Sequence, residues 1–202
     1  MGFVTAADGV KLAYDVTGDG PPLLCLPGLT RNMEDFDPVV EGFADRATVI
    51  RMDFRGRGAS DFADPATYQV PQEAADVLVL LDHLGLDRVT ILGTWRGGLV
   101  AMVLAAMAKD RLAGVILNDV GPEIMTEGLS AIMTYIGRAP VYRTMAEAAE
   151  AMPALYGDSF AGVSPDAWAV FARRLFREEG GRLHLRYDPR LREAVAPAFV
   201  PD

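Results

Sequence analysis

Residues 91–98, ILGTWRGG, carry the strongest structural signal in this 202-residue chain. Three glycines, Gly93, Gly97 and Gly98, surround Trp95 at the spacing of a sharp turn from a strand into a helix. Such a turn needs small neighbours because the residue at its apex adopts a strained backbone conformation. In enzymes this apex presents a nucleophilic side chain, so a tryptophan there is unexpected.

Short apolar runs around this turn predict an α/β sheet. Runs of this kind are typical of strands buried on both faces of a parallel sheet, and they lie at residues 21–28, 47–54, 87–93 and 112–122. The alternating run at residues 10–18 follows the turn signal Asp8-Gly9 and predicts one arm of a hairpin. Helical patterns over 33–45, 71–85 and 97–110 complete the alternation of strands and helices.

The pattern changes after residue 121. Residues 122–180 are predicted to form several helices with no strand between them, and the last helix begins at Ser164 with Pro165 in its first position. A helical block that follows a parallel strand predicts a lid over the strand ends. We therefore expect a core over residues 1–121, a helical cap over 122–184 and a return segment over 185–202.

Composition excludes several classes of partner. The net charge of −9 argues against nucleic acid, because phosphate binding needs a basic surface. The single cysteine, Cys25, lies in an apolar run and is expected to be a buried structural thiol. No leader peptide is visible, and no uncharged apolar stretch reaches the ~20 residues of a membrane span. We therefore expect a cytoplasmic protein with neither membrane nor nucleic acid as partner.

Four motifs, in this chain order, resemble those of an α/β-hydrolase of the small bacterial esterase-like kind with a helical cap. They are LCLPGLTRN (24–32), DFRGRGASD (53–61), LGTWRGGLVAM (92–102) and GVILNDVGP (114–122). Each lies at a predicted strand-to-helix junction, which makes the set more specific than any one glycine motif. The resemblance covers the N-terminal two-thirds of such a protein and implies its core, without the last two strands in this chain.

The resemblance also implies site residues and a reaction. Trp95 occupies the nucleophile position, and the backbone amides of Leu29 and Arg96 correspond to the two donors of the oxyanion hole. The parent reaction is hydrolysis of an ester or a similar carbonyl substrate through a covalent nucleophile, with neither a metal nor an organic cofactor.

The remaining catalytic groups are missing or misplaced. Indole has an N–H donor but no lone pair suited to attack on a carbonyl, so Trp95 cannot act as the nucleophile. Thr94 is expected to point away from the apex, and Ser60 is expected to stabilise its turn. Asp119 is expected to brace its turn, and the alternative is an acid–base pair with His184. The resemblance puts the usual acid and histidine after residue 202. The other histidine, His83, is expected at the end of a surface helix.

These gaps lead to the functional prediction. The chain by itself is predicted to be an inactive hydrolase-type protein; the alternative is a non-catalytic ligand-binding or assembly protein on the same fold. Trp95 is an introduced substitution, a natural degenerate site or part of a remodelled site, and the sequence leaves these three open. The expected ligand is a small hydrophobic ester-like molecule. Candidate pocket residues in the cap are Met125, Met133, Tyr135, Trp168 and Phe171.

A partner chain is also expected. The predicted strand at residues 114–118 would be an apolar sheet edge, and bare apolar edges pair readily with other chains. Two companions are possible: the remaining C-terminal segment as a separate polypeptide, or a second copy of this chain.

Overall fold

The computed structural model describes residues 1–121, 132–157 and 160–195. Its main sheet has six strands in the order β1-β2-β4-β3-β5-β6. The strands are β1 Gly2–Thr5, β2 Lys11–Thr17, β3 Pro22–Leu26, β4 Thr48–Met52, β5 Val89–Thr94 and β6 Leu112–Asn118. The first hairpin and the β2–β4 pair are antiparallel, whereas β3–β4, β3–β5 and β5–β6 are parallel.

Helices cover both faces of this sheet. They are α1 Asp37–Phe43, preceded by a 3-10 turn at Met33–Phe36, then α2 Val70–His83 and α3 Arg96–Met107. Successive residues of β3 point to opposite faces, so Leu24 and Leu26 join the cluster under α2 and α3 while Cys25 joins the cluster under α1. The predicted α/β architecture, a mostly parallel sheet flanked by helices, is confirmed.

The segment predicted to form a cap, called the cap below, contains two helices that begin with a capping hydroxyl. Helices α4 Met145–Tyr156 and α5 Pro165–Leu175 begin after Thr144 and Ser164, whose hydroxyls accept hydrogen bonds from the backbone N–H groups of Glu147 and Ala167. Each such cap contributes about 1 kcal/mol. The two helices enclose their own apolar cluster, which is separate from the core clusters: Ala148, Met152, Trp168, Ala172 and Leu183.

The prediction that residues 122–180 contain no strand is wrong. Helix α5 ends at Leu175, and a hairpin follows that consists of β7 Phe176–Glu179 and β8 Arg182–Leu185. Gly180 and Gly181 form its turn with φ of 60° and 72°, the combination that a two-residue hairpin turn requires. Of the helix predicted over residues 123–137, only 132–137 is described, and residues 132–135 are helical.

The return segment lies against the core. Helix α6 Leu191–Val195 buries both of its end residues, and Tyr187 forms a β-bridge with Arg57 of the loop after β4. Strand β6 forms one edge of the sheet, and its side chains Val115, Ile116 and Leu117 are between 39% and 51% exposed. The apolar edge predicted from the sequence is therefore present in the structure.

Candidate active site

Trp95 forms the whole connection between β5 and α3. Its N–H donates to the carbonyl of Asn118 and thus continues the β5–β6 ladder, while its own carbonyl accepts from Gly98 and Leu99 and starts the helix. The chain changes direction within one residue, which requires φ of 49° and ψ of −109°. A bulky residue in this region is a genuine conformational outlier, and such strain costs about 1–3 kcal/mol.

The three glycines allow the strand and the helix to touch. A Cβ at Gly93 would lie 2.6 Å from the carbonyl oxygen of Gly97, and a Cβ at Gly97 would lie 2.1 Å from that of Leu26. A Cβ at Gly98 would lie 2.3 Å from a methyl carbon of Val120. Backbone atoms leave no space for a side chain at Gly93 and Gly97, whereas at Gly98 the Val120 side chain would have to move, so the turn at position 95 depends most on the first two glycines.

The turn after β3 lies directly against this connection. The N–H of Gly97 donates to the carbonyl of Pro27 at 3.0 Å, and a Cβ at Gly28 would be 3.8 Å from the Cβ of Trp95. The Gly28 carbonyl accepts a hydrogen bond from the backbone N–H of Arg31. Because the peptide between Gly28 and Leu29 is trans, the N–H of Leu29 points in the opposite direction. Leu29 and Trp95 pack against the same apolar cluster.

Two backbone amides here have no acceptor among the described residues. Among the hydrogen bonds of the described residues, none uses the N–H of Leu29 or that of Arg96, the first residue of α3. Free N–H groups at a helix N-terminus carry a partial positive charge and attract anionic oxygen. An arrangement of this kind is chemically suited to hold a developing oxyanion.

A buried ion cluster fixes the loops that carry these amides. Glu73 of α2 accepts from Arg96 at 2.6 Å and faces Arg57 at 2.9 Å, and both Glu73 and Arg57 are fully buried. Arg57 Nε also donates to the carbonyl of Leu29 at 2.9 Å, and Arg96 donates to the carbonyl of Tyr68. One carboxylate thus connects both amide-bearing loops to α2.

A second buried carboxylate organises the loop after β4. Asp53 accepts hydrogen bonds from the backbone N–H groups of Met33 and Ala59, at 2.7 and 2.8 Å. Burial nevertheless raises the pKa of Asp53 to about 6, against the opposing effect of those two hydrogen bonds. Ser60 of the same loop donates to the Asp53 carbonyl and accepts from Ala13 N–H, so its hydroxyl is engaged in the turn.

The indole of Trp95 lies between the core and the cap. Its Nε1 donates to the carboxylate of Asp119, which itself has a positive φ of 55°. The ring packs against a buried cluster to which the cap and the return segment both contribute: Tyr68, Ile132, Ile136, Tyr187, Leu191 and Val195.

The structure brings only part of the predicted pocket to position 95. Met133 packs against the same cluster as Trp95, and Tyr135 is about half exposed. Trp168 and Phe171 belong to the separate cluster inside the cap, where their rings meet edge to face at 5.8 Å. Met125 lies outside the described residues.

The residues considered as catalytic substitutes are engaged elsewhere. The Thr94 hydroxyl accepts from the Asn118 amide, and the exposed His83 bonds to the Tyr14 hydroxyl. His184 is exposed on β8, and no hydrogen bond between it and Asp119 occurs within the described parts of the chain. Burial raises the pKa of the Cys25 thiol to about 12, which leaves it protonated at neutral pH.

Sequence reasoning missed the ion cluster and its neighbour at the return segment. Asp188 is buried, accepts from the Tyr68 hydroxyl at 2.7 Å and pairs with Arg190, which holds its pKa below the usual value despite burial. The signals were present as Glu73 within an apolar helical face and as Tyr187-Asp188 in the stretch LRYDP. Neither signal names its partner, because each partner is distant in sequence.

Comparison with known proteins identifies the family. Residues 21–149, more than half of the chain, match the α/β hydrolase fold family. The chain belongs to this family. Its sequence is 32% identical to 3-hydroxybutyrate-oligomer hydrolase of Cupriavidus necator over 202 residues, which covers 95% of this chain and 69% of that protein.

Two further matches extend this assignment. An α/β hydrolase from Novosphingobium aromaticivorans has a solved structure that superposes with a TM-score of 0.88 at 39% identity, covering 94% of this chain and 68% of that one. Soluble epoxide hydrolase of a Corynebacterium species is 32% identical over 122 residues, which is 42% of its length. This chain therefore spans about two thirds of the first two proteins and less than half of the third.

Neither a membrane span nor a metal cluster is found where the structure is described. None of the helices in residues 1–121, 132–157 and 160–195 has the length and apolar character needed to cross a bilayer. The same residues contain no group of three or more His, Cys, Asp or Glu side chains arranged to hold a metal ion.

Proposed function

We propose that this chain has the architecture of an ester hydrolase that acts through a covalent nucleophile, but that Trp95 prevents turnover. The observation that carries the proposal is Trp95 itself, at the strained β5–α3 connection and directly beside the Pro27-Gly28 turn. The side chain at this position points to where a nucleophile is needed, and an indole has no lone pair for attack on a carbonyl.

The parent reaction defines what is lost and what is kept. A serine Oγ at position 95 would lose its proton to a base and bond to the ester carbonyl carbon, the carbonyl electrons would move onto oxygen, and the protonated base would later return that proton to the departing alcohol. The N–H groups of Leu29 and Arg96 would stabilise that oxyanion, a contribution of about 3 kcal/mol for each donor. The C–O bond to the alcohol would then break, and water would release the acid from the acyl-enzyme. This chain keeps the donors and lacks the attacking oxygen.

The relative from Cupriavidus necator suggests a substrate class. Its name assigns it oligomers of 3-hydroxybutyrate, which are short esters. We extend this chemistry to the present chain as part of the proposal: the ligand is a small, mostly apolar ester whose acyl group packs between Leu29 and Met133. No cofactor takes part in such a reaction.

Restoring the nucleophile tests the proposal. We would incubate the wild-type chain, Trp95→Ser and Trp95→Ala with 4-nitrophenyl butyrate and with 3-hydroxybutyrate dimer, each with and without imidazole as an external base. Trp95→Ser is expected to form a butyryl adduct, detected by intact mass, when imidazole is present. The wild type and Trp95→Ala are expected to form none, and Trp95→Ala controls for the cavity that either substitution creates.

Two results would contradict the proposal. Release of 4-nitrophenol by the wild-type chain above the Trp95→Ala rate would mean that Trp95 does not abolish catalysis. A folded Trp95→Ser that stays unmodified at every imidazole concentration would mean that Leu29 and Arg96 do not form an oxyanion hole. Circular dichroism establishes that each variant is folded before it is assayed.

Assembly is a second candidate function, which the β6 edge favours. The strand LAGVILN has no charged residue, and its Val115, Ile116 and Leu117 are exposed. We propose that a second copy pairs its own β6 with this edge about a two-fold axis, which joins the two sheets. Light scattering on a sizing column should give a dimer for the wild type and a monomer for Ile116→Lys. Phe3→Lys on the opposite edge should stay dimeric, and a monomeric wild type would refute the pairing.

A further inference from the structure

An arginine-lined cleft lies between the core and the cap, apart from the residues around Trp95. Its volume is about 540 Å³, within the range of small-molecule sites. The core contributes Glu34, Asp37, Gly58 and Ala59 to its walls, and the cap and hairpin contribute Val170, Arg173, Arg174, Phe176, Arg177 and Arg186. Four guanidinium groups thus face two carboxylates, in a chain whose net charge is −9.

Two of the arginines are held in place by the core. Arg186 donates to both carboxylate oxygens of Glu34, each at 2.6 Å, and its Nη1 also donates to the carbonyl of Arg173. Arg174 pairs with Asp37 at 3.0 Å, and its own carbonyl accepts from the Asn32 side chain. These pairs account for both carboxylates in the cleft.

The positive charges of the other two arginines are not neutralised by either carboxylate of the cleft. Arg173 is exposed, and its guanidinium has no hydrogen bond or ion pair to any of the described residues. Within residues 1–121, 132–157 and 160–195, Arg177 pairs only with Glu179, at 3.3 Å, and the two side chains are 50% and 67% exposed. Exposed pairs of this kind are weak and screened by salt, so an anion can displace Glu179.

The helix end explains only part of this charge. Cations in the last turn of a helix are favoured by its dipole, and this accounts for Arg173 and Arg174 in α5. Arg177 and Arg186 belong to the hairpin and its exit, where no helix end explains them. Arg186 is accounted for by its pair with Glu34, but neither that pair nor the helix end accounts for the position of Arg177 beside Arg173 in the cleft.

We propose that this cleft binds a small organic anion. A carboxylate or phosphate group lies against Arg173 and Arg177, whose planar guanidinium groups match the oxygen geometry of both anions. The apolar part of the ligand packs against Val170 and Phe176, which are partly exposed in the cleft wall. Because the walls come from core and cap, the bound anion joins the two units. The site does not depend on catalysis at position 95.

Calorimetric titration at low ionic strength tests the site with defined probes. Phenyl phosphate and benzoate carry the two candidate anionic groups on the same ring, and phenol is the uncharged probe. The test variant is Arg173→Gln/Arg177→Gln. The control is Arg138→Gln/Arg182→Gln, which removes the same charge from two exposed arginines outside the cleft.

The expected result is saturable binding of at least one anion to the wild type, and none of phenol. Affinity should fall at least tenfold in Arg173→Gln/Arg177→Gln and less than twofold in the control. The stronger of the two anions identifies the headgroup. The absence of saturable anion binding would overturn the proposal. An equal loss in both double variants would also overturn it, because it would show attraction to overall charge only.

Discussion

Buried charged side chains join the loops around the turn at Trp95 in the core, whereas the inside of the cap is held almost wholly by apolar contacts. In the core, Arg57 of the loop after β4 forms an ion pair with Glu73 of α2, and both side chains are completely buried. In the cap, α4 and α5 meet through Met152 and Trp168 with their apolar neighbours.

This difference indicates that the core fixes the backbone around Trp95, whereas the side chains inside the cap can vary. Removing one member of a buried ion cluster leaves a charge without a partner, so the cluster tolerates little change. The cluster therefore holds the backbone of Leu29 and Arg96 in fixed positions. An apolar cluster accepts other side chains of similar total volume, so the cap can change its shape and hence its ligand.

The largest effect is expected at the closest backbone contact of the core. Gly97→Ala places a methyl group 2.1 Å from the carbonyl oxygen of Leu26, and backbone on both sides prevents relief by a rotamer change. We expect the free energy of unfolding to fall by about 4 kcal/mol or more, or the chain not to fold. Urea denaturation followed by circular dichroism measures the change.

Gly42→Ala in α1 is the matched control. A Cβ at Gly42 meets nothing within 4 Å, and alanine is the better helix former. This variant should gain about 0.5–1 kcal/mol. If Gly97→Ala were as stable as Gly42→Ala, the strand and helix would not be in the contact that the turn at Trp95 requires.

A smaller and more local effect is expected in the cap. Trp168→Ala empties the centre of the cluster between α4 and α5, which should cost about 3 kcal/mol. Because that cluster is separate from the core clusters, amide hydrogen exchange should accelerate in α4 and α5 but not in α3. The chain has two tryptophans, so the fluorescence that remains reports Trp95 alone.

Leu155→Ala controls for shortening a side chain on the same helices. Leu155 is exposed on α4, and its truncation should change stability by no more than about 0.5 kcal/mol. Equal acceleration of exchange in α3 and α5 of Trp168→Ala would mean that core and cap unfold as one unit. The contrast between the two regions would then be wrong.

The same division separates what the sequence predicts from what it does not. Strands β2 to β6, the first three helices and the turn at Trp95 follow from local signals: apolar runs of strand length, helix stops and closely spaced glycines. These signals are reliable here because helices cover both faces of the central strands β3, β4 and β5, whose sequences therefore show nearly continuous apolar runs.

In the cap, Ser164 and Pro165 mark the start of α5, but the end of that helix and the contacts between distant residues have no local signal. The run FREEGG is predicted to belong to the helix that begins after Ser164, yet Phe176–Glu179 is a strand and Gly180-Gly181 forms a hairpin turn. The contact of Trp95 with Asp119 and that of Glu73 with Arg57 depend on how loops meet in three dimensions. A single sequence indicates that such polar residues are unusual, but not which partner each one has.

The smallest effect is a pH dependence that belongs to the core. Burial raises the pKa of Asp53 to about 6 in the folded protein, above its ordinary value of 3.8. The folded state therefore binds more protons than the unfolded state between these values, and stability should fall as the pH rises from about 4 to about 6. The full difference is about 2–3 kcal/mol, measured as urea midpoints across that range.

Carboxylates with lowered pKa values act in another pH window, which makes the assignment to Asp53 testable. Asp8, Asp15 and Asp188 are paired with arginines, so their contribution is complete above about pH 4 and is lost below it. Asp53→Asn removes the titrating group, at a constant cost for the hydrogen bond it can no longer accept. Its stability should be level between pH 4 and 6 while the wild type declines. If the stability of both proteins declined in parallel, a group other than Asp53 would cause the pH dependence.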